Sequence, residues 1–333
     1  MTFSQASSST CDIAIVGAGQ AALQTIASLK SGGFGGTITL VGDEAYLPYQ
    51  RPPLSKKFLN GTFGRDRLFL KPDNFYTDND INIMLETQVT EIDVTAKSLT
   101  CANGGTIGFS KAVICTGSRP RALPIPGHGL ENIFDLRTIA DIEAMRPHFN
   151  QGTKMAVVGG GYIGLETAAS ARQLGVEVTV VEAAERVLAR VTKPELSAFF
   201  HQLHLDQGVE IITGAQVSSF AGETNVAGVN LNNGTLVPAN LVVLGIGIVP
   251  NTELAEAAGL TIDDGIVVDA LGRTSHSDIY AAGDCTNHPN PILGRRLRLE
   301  SVPNAMDQAR TAAANMLGGD KTYAAVPWFW SDQ

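Results

Sequence analysis

Two glycine-rich turns, each between an apolar run and a helix-like segment, constrain the fold more than any other feature of the chain. The first turn is GAGQAA at residues 17–22, directly after the run DIAIV. The second is GGGYIG at residues 159–164, directly after MAVV. A strand, a tight turn and a helix in this order predict a unit of two parallel strands joined by a right-handed helical crossover.

The segments around each turn have the periodicity that such a unit requires. The predicted elements are a strand at 13–16, a helix at 20–29 and a strand in TITLVG, then a strand at 155–158, a helix at 162–174 and a strand in VEVTVVE. The run SGGFGG ends the first helix, and Gly175 ends the second. These units predict an α/β protein with two Rossmann-like dinucleotide-binding domains, in which helices cover parallel sheets.

The glycines within the turns match a dinucleotide-binding pattern. In that pattern the first glycine permits the tight turn, the second lets the backbone approach a pyrophosphate, and the third lets the helix pack closely. The matching residues are Gly159, Gly161 and Gly164 in the second turn, and Gly17, Gly19 and Ala22 in the first. The alternative is a pair of glycine-rich turns that bind nothing.

An acidic residue after the second strand of each unit disfavours that alternative. These residues are Asp43 and Glu182. A carboxylate at this position accepts hydrogen bonds from a ribose and repels a 2′-phosphate, so Glu182 favours NADH over NADPH. Arg186 and Arg190 follow closely and weaken this preference. Two dinucleotide sites suggest a resident FAD that receives hydride from a visiting NADH, because a flavin links hydride transfer to single-electron transfer.

Three later apolar runs lead into glycine-containing loops, namely KAVICTGSRP, LVVLGIGIVPN and SDIYAAGDC. Loops beyond the carboxyl ends of parallel strands are where α/β proteins bind ligands. We therefore expect all three loops to face cofactors.

Charge and composition disfavour several other classes of protein. The chain has 33 acidic and 24 basic residues, a net charge of −9, which disfavours nucleic acid and anionic membranes as partners. No apolar run is long enough to span a membrane, and MTFSQASSST lacks the pattern of a secretion signal. We expect a short mobile tail at residues 1–10 and a cytoplasmic protein.

The histidines and cysteines show no metal-binding pattern. His201 and His204 have HxxH spacing, but they lack the glutamate of HExxH and a third ligand. The four cysteines are far apart in sequence. We expect no metal site and no disulfide scaffold.

Eight segments, in order along nearly the whole chain, resemble the FAD-dependent NADH:ferredoxin reductases. This family comprises the putidaredoxin reductase-like reductase components of bacterial cytochrome P-450 and ring-hydroxylating dioxygenase systems. The segments are GAGQAA, RPPLSK, ICTGSRP, GGGYIGLE, GIGIVPN, YAAGDC, ESVPNA and PWFWSDQ. The resemblance implies a glutathione-reductase-like architecture, with a discontinuous FAD-binding domain at 1–119 and 249–326 and an NADH-binding domain at 120–248.

The resemblance also implies which residues contact the cofactors. For FAD they are Gly17, Gly19, Ala21, Asp43, Lys56, Val89, Arg137, Asp284 and Val302. For NADH they are Gly159, Gly161, Tyr162, Ile163, Gly164, Glu166, Glu182, Gly245 and Gly247. Asp284 is implied to accept a hydrogen bond from a ribityl hydroxyl, and residues 300–305 to approach the pyrimidine side of the flavin.

Three residues are implied to act at the reacting edge of the flavin. Trp330 is similar to an aromatic residue near the isoalloxazine, and Lys56 and Glu166 are implied to form a pair beside flavin N5. We expect this pair to orient the flavin edge. On the residues themselves, a solvated lysine, an acid in the first turn of a helix and a core tryptophan are the alternatives.

The route by which electrons leave the flavin is inferred from cysteines and from basic clusters. The stretch EAYLPYQRPPLSKK contains no cysteine, and neither Cys115 nor Cys285 suits a thiolate relay, which favours single-electron transfer to an external iron–sulfur protein. The resemblance implies that this acceptor is a 2Fe–2S ferredoxin that feeds an oxygenase, and such a partner is usually acidic. Basic residues at 51–71 and in GRRLRLE predict the docking face for such an acidic partner. They are Arg51, Lys56, Lys57, Arg65, Arg67, Lys71, Arg295, Arg296 and Arg298. Ordinary solvated surface is the alternative.

The resemblance leaves two alternative functions open, and the sequence departs from the family in one respect. The alternative functions are an NADH oxidase and a redox-sensing interaction protein that resembles apoptosis-inducing factor. Family members continue for several dozen residues beyond PWFWSDQ, whereas this sequence stops at Gln333. We therefore expect the C-terminal interface domain to be absent, with only its start at 327–333.

Overall fold

The computed structural model describes residues 8–332, so most of the predicted mobile tail lies outside the described residues. Within that range the chain forms twenty strands and seven α-helices. The strands are β1 (Ser9–Val16), β2 (Ile38–Val41), β3 (Ile81–Met84), β4 (Val89–Asp93), β5 (Ser98–Cys101), β6 (Thr106–Ile114), β7 (Ser118–Pro120), β8 (Ile133–Asp135), β9 (Lys154–Val158), β10 (Glu177–Val181), β11 (Val209–Ile212), β12 (Val217–Gly222), β13 (Val226–Leu231), β14 (Leu236–Pro238), β15 (Leu241–Leu244), β16 (Ile248–Pro250), β17 (Ile266–Val267), β18 (Ile279–Ala281), β19 (Thr286–Asn290) and β20 (Arg295–Leu297). The helices are α1 (Gln20–Ser31), α2 (Asp73–Asp78), α3 (Ile139–Met145), α4 (Tyr162–Gln173), α5 (Pro194–Asp206), α6 (Glu253–Ala257) and α7 (Val302–Met316), with 3₁₀ turns at Pro52–Ser55, Arg65–Leu68 and Arg146–His148.

The contacts divide the chain into two compact units. The first unit comprises Met1–Gln50, Phe69–Ser118 and Pro250–Phe329, and the second comprises Arg51–Leu68, Arg119–Val249 and Trp330–Gln333. The predicted FAD-binding domain includes residues 51–68, whereas the contacts of these residues place them in the second unit. The assignment of one cofactor to each predicted domain stays a prediction.

The first unit is built on a mixed sheet in the order β3-β2-β1-β6-β5-β4, with β18 also paired to β6. Strands β1, β2, β3, β6 and β18 pair in parallel. Ile13 and Ile15 of β1 pack into the core cluster that includes α1 and α7, while Ala14 and Val16 pack into the cluster on the opposite face. The alternation shows that both faces of β1 are covered, as expected for a parallel sheet.

The second unit contains a five-stranded parallel sheet in the order β11-β10-β9-β15-β8. A separate antiparallel sheet, β12-β13-β14, contributes Phe220, Val229 and Leu231 to a core cluster that also holds Ala156 of β9. The glycine turn at 159–161 follows β9, which lies in the middle of the parallel sheet. Central strands leave their carboxyl ends accessible to a ligand in such sheets.

The predicted α/β fold and the six predicted elements around the two turns are confirmed. The main difference is at β1, which begins at Ser9 rather than Ile13 because residues 9–11 pair with β6, starting from Ser9 opposite Ile107. Helix α4 ends at Gln173, and Gly175 has the positive φ of +81° that a helix end favours.

A buried polar network in the first unit joins α7 to β19. The Gln308 side chain accepts hydrogen bonds from the Gly283 N–H at 2.7 Å and from the Thr286 hydroxyl at 2.8 Å. Its Nε2 lies 2.8 Å from Nδ1 of His288, while His288 Nε2 is buried without a hydrogen-bond partner among residues 8–332. Burial, with a smaller contribution from the charge of Arg296, lowers the pKa of His288 to about 4.

The pKa of His288 predicts a pH dependence of stability. Because the unfolded imidazole binds a proton near pH 6.5 and the folded one does not, the free energy of unfolding should fall as pH drops from 6.5 toward 4, by a total on the order of 3 kcal/mol. His288→Asn retains an acceptor for Gln308 and should flatten this dependence. Urea unfolding at a series of pH values measures both. Equal slopes for the two proteins would contradict the prediction.

Candidate functional site

The glycine turn of the second unit depends on close contacts between backbone atoms. Gly159 has a φ of +106°, and a Cβ atom there would lie 2.4 Å from the carbonyl oxygen of Gly245. A Cβ atom on Gly164 would lie 2.1 Å from the Gly159 carbonyl oxygen. Only glycine fits at either position, because atoms at these distances overlap. These two residues therefore serve the turn itself.

Gly161 differs from its neighbours because the space above it is open. It is the N-cap of α4, with a φ of −82°, and none of the described side chains caps the helix there. A Cβ atom on Gly161 would meet no described atom within 4 Å. The first N–H groups of a helix have no partner within the helix. Open space in front of such groups fits the pyrophosphate of a dinucleotide.

Glu182, which is predicted to contact a ribose, also forms hydrogen bonds that stabilise the glycine turn. Its Oε2 accepts a hydrogen bond from the Gly160 N–H at 2.6 Å, and its Oε1 accepts one from the Ala184 N–H at 2.7 Å. The Gly160 carbonyl in turn accepts a hydrogen bond from the Leu188 N–H at 2.9 Å. Each carboxylate oxygen keeps a further lone pair that suits a ribose hydroxyl. Glu182 is therefore oriented before any ligand binds.

The loop after β15 contributes two further predicted NADH residues, Gly245 and Gly247, and the first turn of α4 contributes Tyr162 and Ile163. The Gly245 N–H donates to the Val158 carbonyl at 2.7 Å, which holds the loop against the end of β9. Gly247 has a φ of +99°, a conformation that favours glycine. Ile163, the second residue of α4, is exposed, and burial raises the pKa of the Tyr162 phenol.

The turn of the first unit repeats this construction. Gly17 has a φ of +101°, and a Cβ atom there would lie 2.3 Å from the carbonyl oxygen of Cys115. Gly19 is the N-cap of α1, uncapped by any described side chain, and a Cβ atom there would meet nothing within 4 Å in the described part of the chain. Asp43 follows β2 with an exposed side chain. This arrangement also fits a dinucleotide.

The other predicted FAD residues of the first unit lie at the ends of elements. Asp284 follows β18 and its Oδ2 accepts a hydrogen bond from the Ser118 hydroxyl at 2.8 Å. Val302 is the first residue of α7, and Val89 is the first residue of β4. Ala21 is buried in the first turn of α1. Loops and element ends are the positions from which α/β proteins contact ligands.

Arg137, predicted to contact FAD, belongs to the second unit, and hydrogen bonds to its backbone N–H and carbonyl fix its position. Its N–H donates to the Asp141 carboxylate at 2.9 Å, and its carbonyl accepts a hydrogen bond from Arg51 at 2.6 Å. Thr138 caps α3 by accepting the Asp141 N–H. The position of the Arg137 backbone is thus set by a capping box.

Lys56 and Glu166 form an ion pair in the second unit. The Lys56 Nζ atom lies 2.7 Å from Glu166 Oε2, and the two side chains are only 16% and 3% exposed. The hydroxyl of Ser55 donates to the same oxygen at 2.6 Å, and the hydroxyl of Ser331 donates to Oε1 at 2.6 Å. The structure thus contains the pair that the resemblance implied, and its role in a reaction stays a prediction.

A polar stripe on α4, which the sequence analysis missed, explains why residues 51–68 belong to the second unit. The stripe consists of Glu166, Ser170 and Gln173. Ser170 donates to the Ser55 carbonyl at 2.8 Å, and Gln173 accepts a hydrogen bond from Asn60 at 3.0 Å. Residues spaced by four and then three lie on one helix face. That spacing, in a helix otherwise rich in small and apolar residues, is the signal that identifies the stripe.

Trp330 lies in the second unit in a stretch without helix or strand as far as residue 332. Its side chain is 46% exposed. The alternative reading as a core tryptophan is therefore wrong, because a core residue is nearly fully buried. A contact between Trp330 and a flavin stays a prediction.

The thiols of Cys115 and Cys285 are buried, and their raised pKa values disfavour the thiolate form. Burial raises the pKa of Cys285 to about 11 and that of Cys115 well above its ordinary value. The thiolate, not the thiol, is the nucleophile in disulfide exchange. Thiols with raised pKa values do not suit a thiolate relay.

The predicted docking arginines of the first unit have different surroundings. Arg296 donates to the side chain of Asn287 at 3.0 Å and to the Val268 carbonyl at 2.8 Å. Arg298 forms ion pairs with Asp264 at 3.1 Å and Glu300 at 2.6 Å. Arg295 is exposed. Since Arg296 and Arg298 are bound to neighbouring residues, Arg295 is the best placed of the three for a partner.

Several basic residues at 51–71 likewise have local partners. Arg65 pairs with Glu143, and the Arg67 guanidinium lies 4.3 Å from the centre of the Phe63 ring. The Lys71 ammonium lies 5.2 Å from the centre of the Phe75 ring. Lys57 is exposed. The predicted basic segment is therefore less available to a partner than its residue count indicates.

Between residues 8 and 332, no group of three or more His, Cys, Asp and Glu side chains is arranged to hold a metal ion. No helix in that range is long and apolar enough to cross a membrane.

Comparison with known proteins gives consistent matches over most of the chain. The family model described as pyridine nucleotide-disulphide oxidoreductase matches residues 11–309. Rhodocoxin reductase of Rhodococcus erythropolis is 43% identical over 322 residues, which are 96% of this chain and 75% of that protein. The ferredoxin–NAD(+) reductase component of the anthranilate 1,2-dioxygenase system of Burkholderia cepacia is 42% identical over 324 residues, which are 96% of this chain and 79% of that protein.

A solved structure agrees with these sequence matches. The crystal structure of the covalent putidaredoxin reductase–putidaredoxin complex contains a chain that is 41% identical to this one and superimposes with a TM-score of 0.94. The match covers 99% of this chain and 80% of that chain. The fold of this chain is therefore that of known dinucleotide-dependent oxidoreductases.

The contrast between Gly159 and Gly161 predicts different effects of substitution on stability and on binding at the predicted NADH site. Gly159→Ala should destabilise the protein by about 1–3 kcal/mol, because it places a Cβ atom on the Gly245 carbonyl at a positive φ. Gly161→Ala should change stability by less than about 1 kcal/mol. It should nevertheless weaken NADH binding at least about tenfold, because its methyl group fills the open space. Thermal unfolding and calorimetric titration with NADH measure the two effects; equal NADH affinity for Gly161→Ala and the parent would contradict the binding site.

Proposed function

Because the chain belongs to the pyridine nucleotide-disulphide oxidoreductase family, whose members use FAD and NAD(P), we propose that it is an NADH:ferredoxin reductase. In this proposal NADH reduces the bound FAD, and the flavin passes single electrons to a 2Fe–2S ferredoxin that serves an oxygenase. The relatives support the acceptor, since they include reductase components named for ferredoxins and one solved in complex with putidaredoxin.

The observation that carries the proposal is the presence of two complete dinucleotide turns in one chain. Each turn has a glycine that only the backbone geometry explains, Gly17 or Gly159, and an N-cap glycine with open space in front of it, Gly19 or Gly161. Each is followed by an acid after the next strand. One turn suits a resident FAD and the other a visiting NADH.

The residues of the second unit would bind and select NADH. The first turn of α4 would hold the pyrophosphate at Gly161, and the fixed carboxylate of Glu182 would accept hydrogen bonds from the adenosine ribose. A 2′-phosphate would meet the same carboxylate and be repelled. The preference for NADH therefore depends on the charge of Glu182.

The residues of the first unit would bind FAD in a similar way. The first turn of α1 at Gly19 would hold the pyrophosphate, and Asp43 and Asp284 would accept hydrogen bonds from hydroxyl groups. When bound, FAD supplies the conversion of one hydride into two single electrons. The protein contributes position and charge around the flavin.

The Lys56–Glu166 pair is the charged group that we propose acts beside the reacting edge. A buried ion pair with opposite charges leaves the local net charge at zero, yet its ammonium can donate a hydrogen bond to a group that gains electron density. Glu166 holds that ammonium in place at 2.7 Å. The pair would thus orient the flavin without transferring an electron.

Rapid mixing of the FAD-loaded protein with NADH or NADPH tests the proposal. NADH should reduce the flavin faster at low concentration, and Glu182→Gln should narrow that preference by about tenfold, which corresponds to about 1.4 kcal/mol. The glutamine retains an acceptor for the Gly160 N–H. The reduced protein should then reduce a 2Fe–2S ferredoxin from a panel of candidates. Equal rates with both nucleotides, together with no electron transfer to any ferredoxin, would refute the proposal.

A charge reversal at Arg295 tests the docking face. Arg295→Glu should lower the second-order rate of ferredoxin reduction about tenfold at low salt and should reduce its salt dependence, because opposite charges accelerate encounter. Lys154→Glu makes the same charge change at an exposed site outside the predicted clusters and serves as the control. Stopped-flow kinetics at several ionic strengths measure both variants. Indistinguishable rates for the two variants would remove Arg295 from the docking face.

A further inference from the structure

The carboxylate of Glu166 accepts hydrogen bonds at both of its oxygens, from three side chains that belong to two separate stretches of chain. Its side chain is 3% exposed, and it lies one turn into α4, close to the positive end of the helix dipole. Lys56 and Ser55 both donate to Oε2, at 2.7 Å and 2.6 Å. Ser331 donates to Oε1 at 2.6 Å. Neither the dinucleotide pattern nor the predicted Lys56–Glu166 pair accounts for the contact from Ser331.

The donors on Oε2 come from one firmly held turn. Pro52 and Pro53 begin the 3₁₀ turn, and their rings fix φ near the value that such a turn requires. Ser170, one helical turn beyond Glu166, donates to the Ser55 carbonyl at 2.8 Å and fastens the same turn to α4. Lys56 also donates to the Pro52 carbonyl at 3.2 Å. Ser55 and Lys56 are therefore positioned by the fold of residues 52–56.

Two donors on a single oxygen do not fix a carboxylate. The last torsion of a glutamate side chain has a broad, roughly two-fold energy profile, so the carboxylate plane can rotate while Oε2 stays near its donors. A donor on Oε1 removes that freedom. Ser331 supplies this donor.

We propose that Ser331 is a positioning residue, which fixes the plane of the Glu166 carboxylate and thereby the ammonium of Lys56. The proposal rests on the function proposed above, in which Lys56 and Glu166 act at the flavin edge. A neutral hydroxyl suits this task, because a third charge would unbalance a buried ion pair and add a desolvation cost. Loss of the hydroxyl would leave a buried carboxylate oxygen with one donor fewer, which is costly in a buried site.

The same contact links two predicted features of the site. Ser331 directly follows Trp330, the aromatic residue that the resemblance implies to be near the flavin. The hydroxyl of Ser331 thus ties the backbone that carries Trp330 to α4. Removal of the hydroxyl is expected to affect the ion pair and the tryptophan together.

Flavin reduction in the FAD-loaded protein tests the proposal. Ser331→Ala should lower the limiting rate of flavin reduction by NADH about tenfold, as expected for a misplaced reacting group, while the dissociation constant for NADH stays within about twofold. Ser331→Thr keeps a hydroxyl and should restore the rate. Ser218→Ala removes a hydroxyl that donates to the Asn230 carbonyl in the same unit, and it should match the parent.

A double substitution shows whether Ser331 acts through Glu166. If it does, adding Ser331→Ala to Glu166→Ala should cause no further loss of rate, because the two changes remove the same interaction. Independent losses that multiply would overturn the proposal, and so would a parent-like rate in Ser331→Ala. Thermal unfolding of each variant separates these outcomes from a loss of the folded state.

Tryptophan emission distinguishes failure of this inference from failure of the proposed function. In a Trp328→Phe background, Trp330 is the single tryptophan, since the chain contains two. Ser331→Ala should shift its emission to longer wavelength, and Ser331→Thr should not. If NADH fails to reduce the parent flavin, the proposed function is wrong, and the positioning role of the Ser331–Glu166 hydrogen bond is still judged by the emission of Trp330. An unshifted emission in Ser331→Ala overturns that role whether or not the parent is active.

Discussion

Close approach of backbone to backbone at the two glycine turns is the constraint on which both predicted cofactor sites depend. At Gly17 and Gly159 the chain passes so near the carbonyl oxygen of a neighbouring strand end that a Cβ atom would overlap it. This approach lets α1 and α4 start directly above the carboxyl ends of β1 and β9. The helix N-termini, with their unpaired N–H groups, are thereby brought to the edge where a phosphate can bind.

Acidic side chains in the second unit have structural as well as ligand-binding roles. Glu182 accepts hydrogen bonds from two backbone N–H groups and holds the turn at Gly160. Glu166 accepts hydrogen bonds from three side chains and joins α4 to residues 52–56 and to Ser331. In both cases the protein fixes a carboxylate before a ligand arrives, which lowers the cost of ordering it on binding.

Local patterns in the sequence were sufficient for the elements around the turns, because those elements depend on neighbouring residues. The apolar run at 13–16 and the helical spacing of 20–29 each predict an element that the structure contains, and Gly175 predicts the end of another. The extension of β1 back to Ser9 was missed, since it depends on pairing with residues near 107. The docking arginines were counted by charge alone, whereas Arg296 donates to Val268, 28 positions away, and Arg298 pairs with Asp264, 34 positions away, and these two contacts appear only in the fold.

The sequence by itself determined the α/β fold, the two dinucleotide turns and the acids that follow them, because each depends on residue type and spacing within about thirty residues. The resemblance to known reductases also implied the pairing of Lys56 with Glu166. Only the tertiary structure placed Ser55 and Ser331 on opposite oxygens of Glu166 and residues 51–68 on the polar stripe of α4. These contacts join residues more than a hundred positions apart, and no local periodicity or motif specifies which distant side chain a buried carboxylate meets.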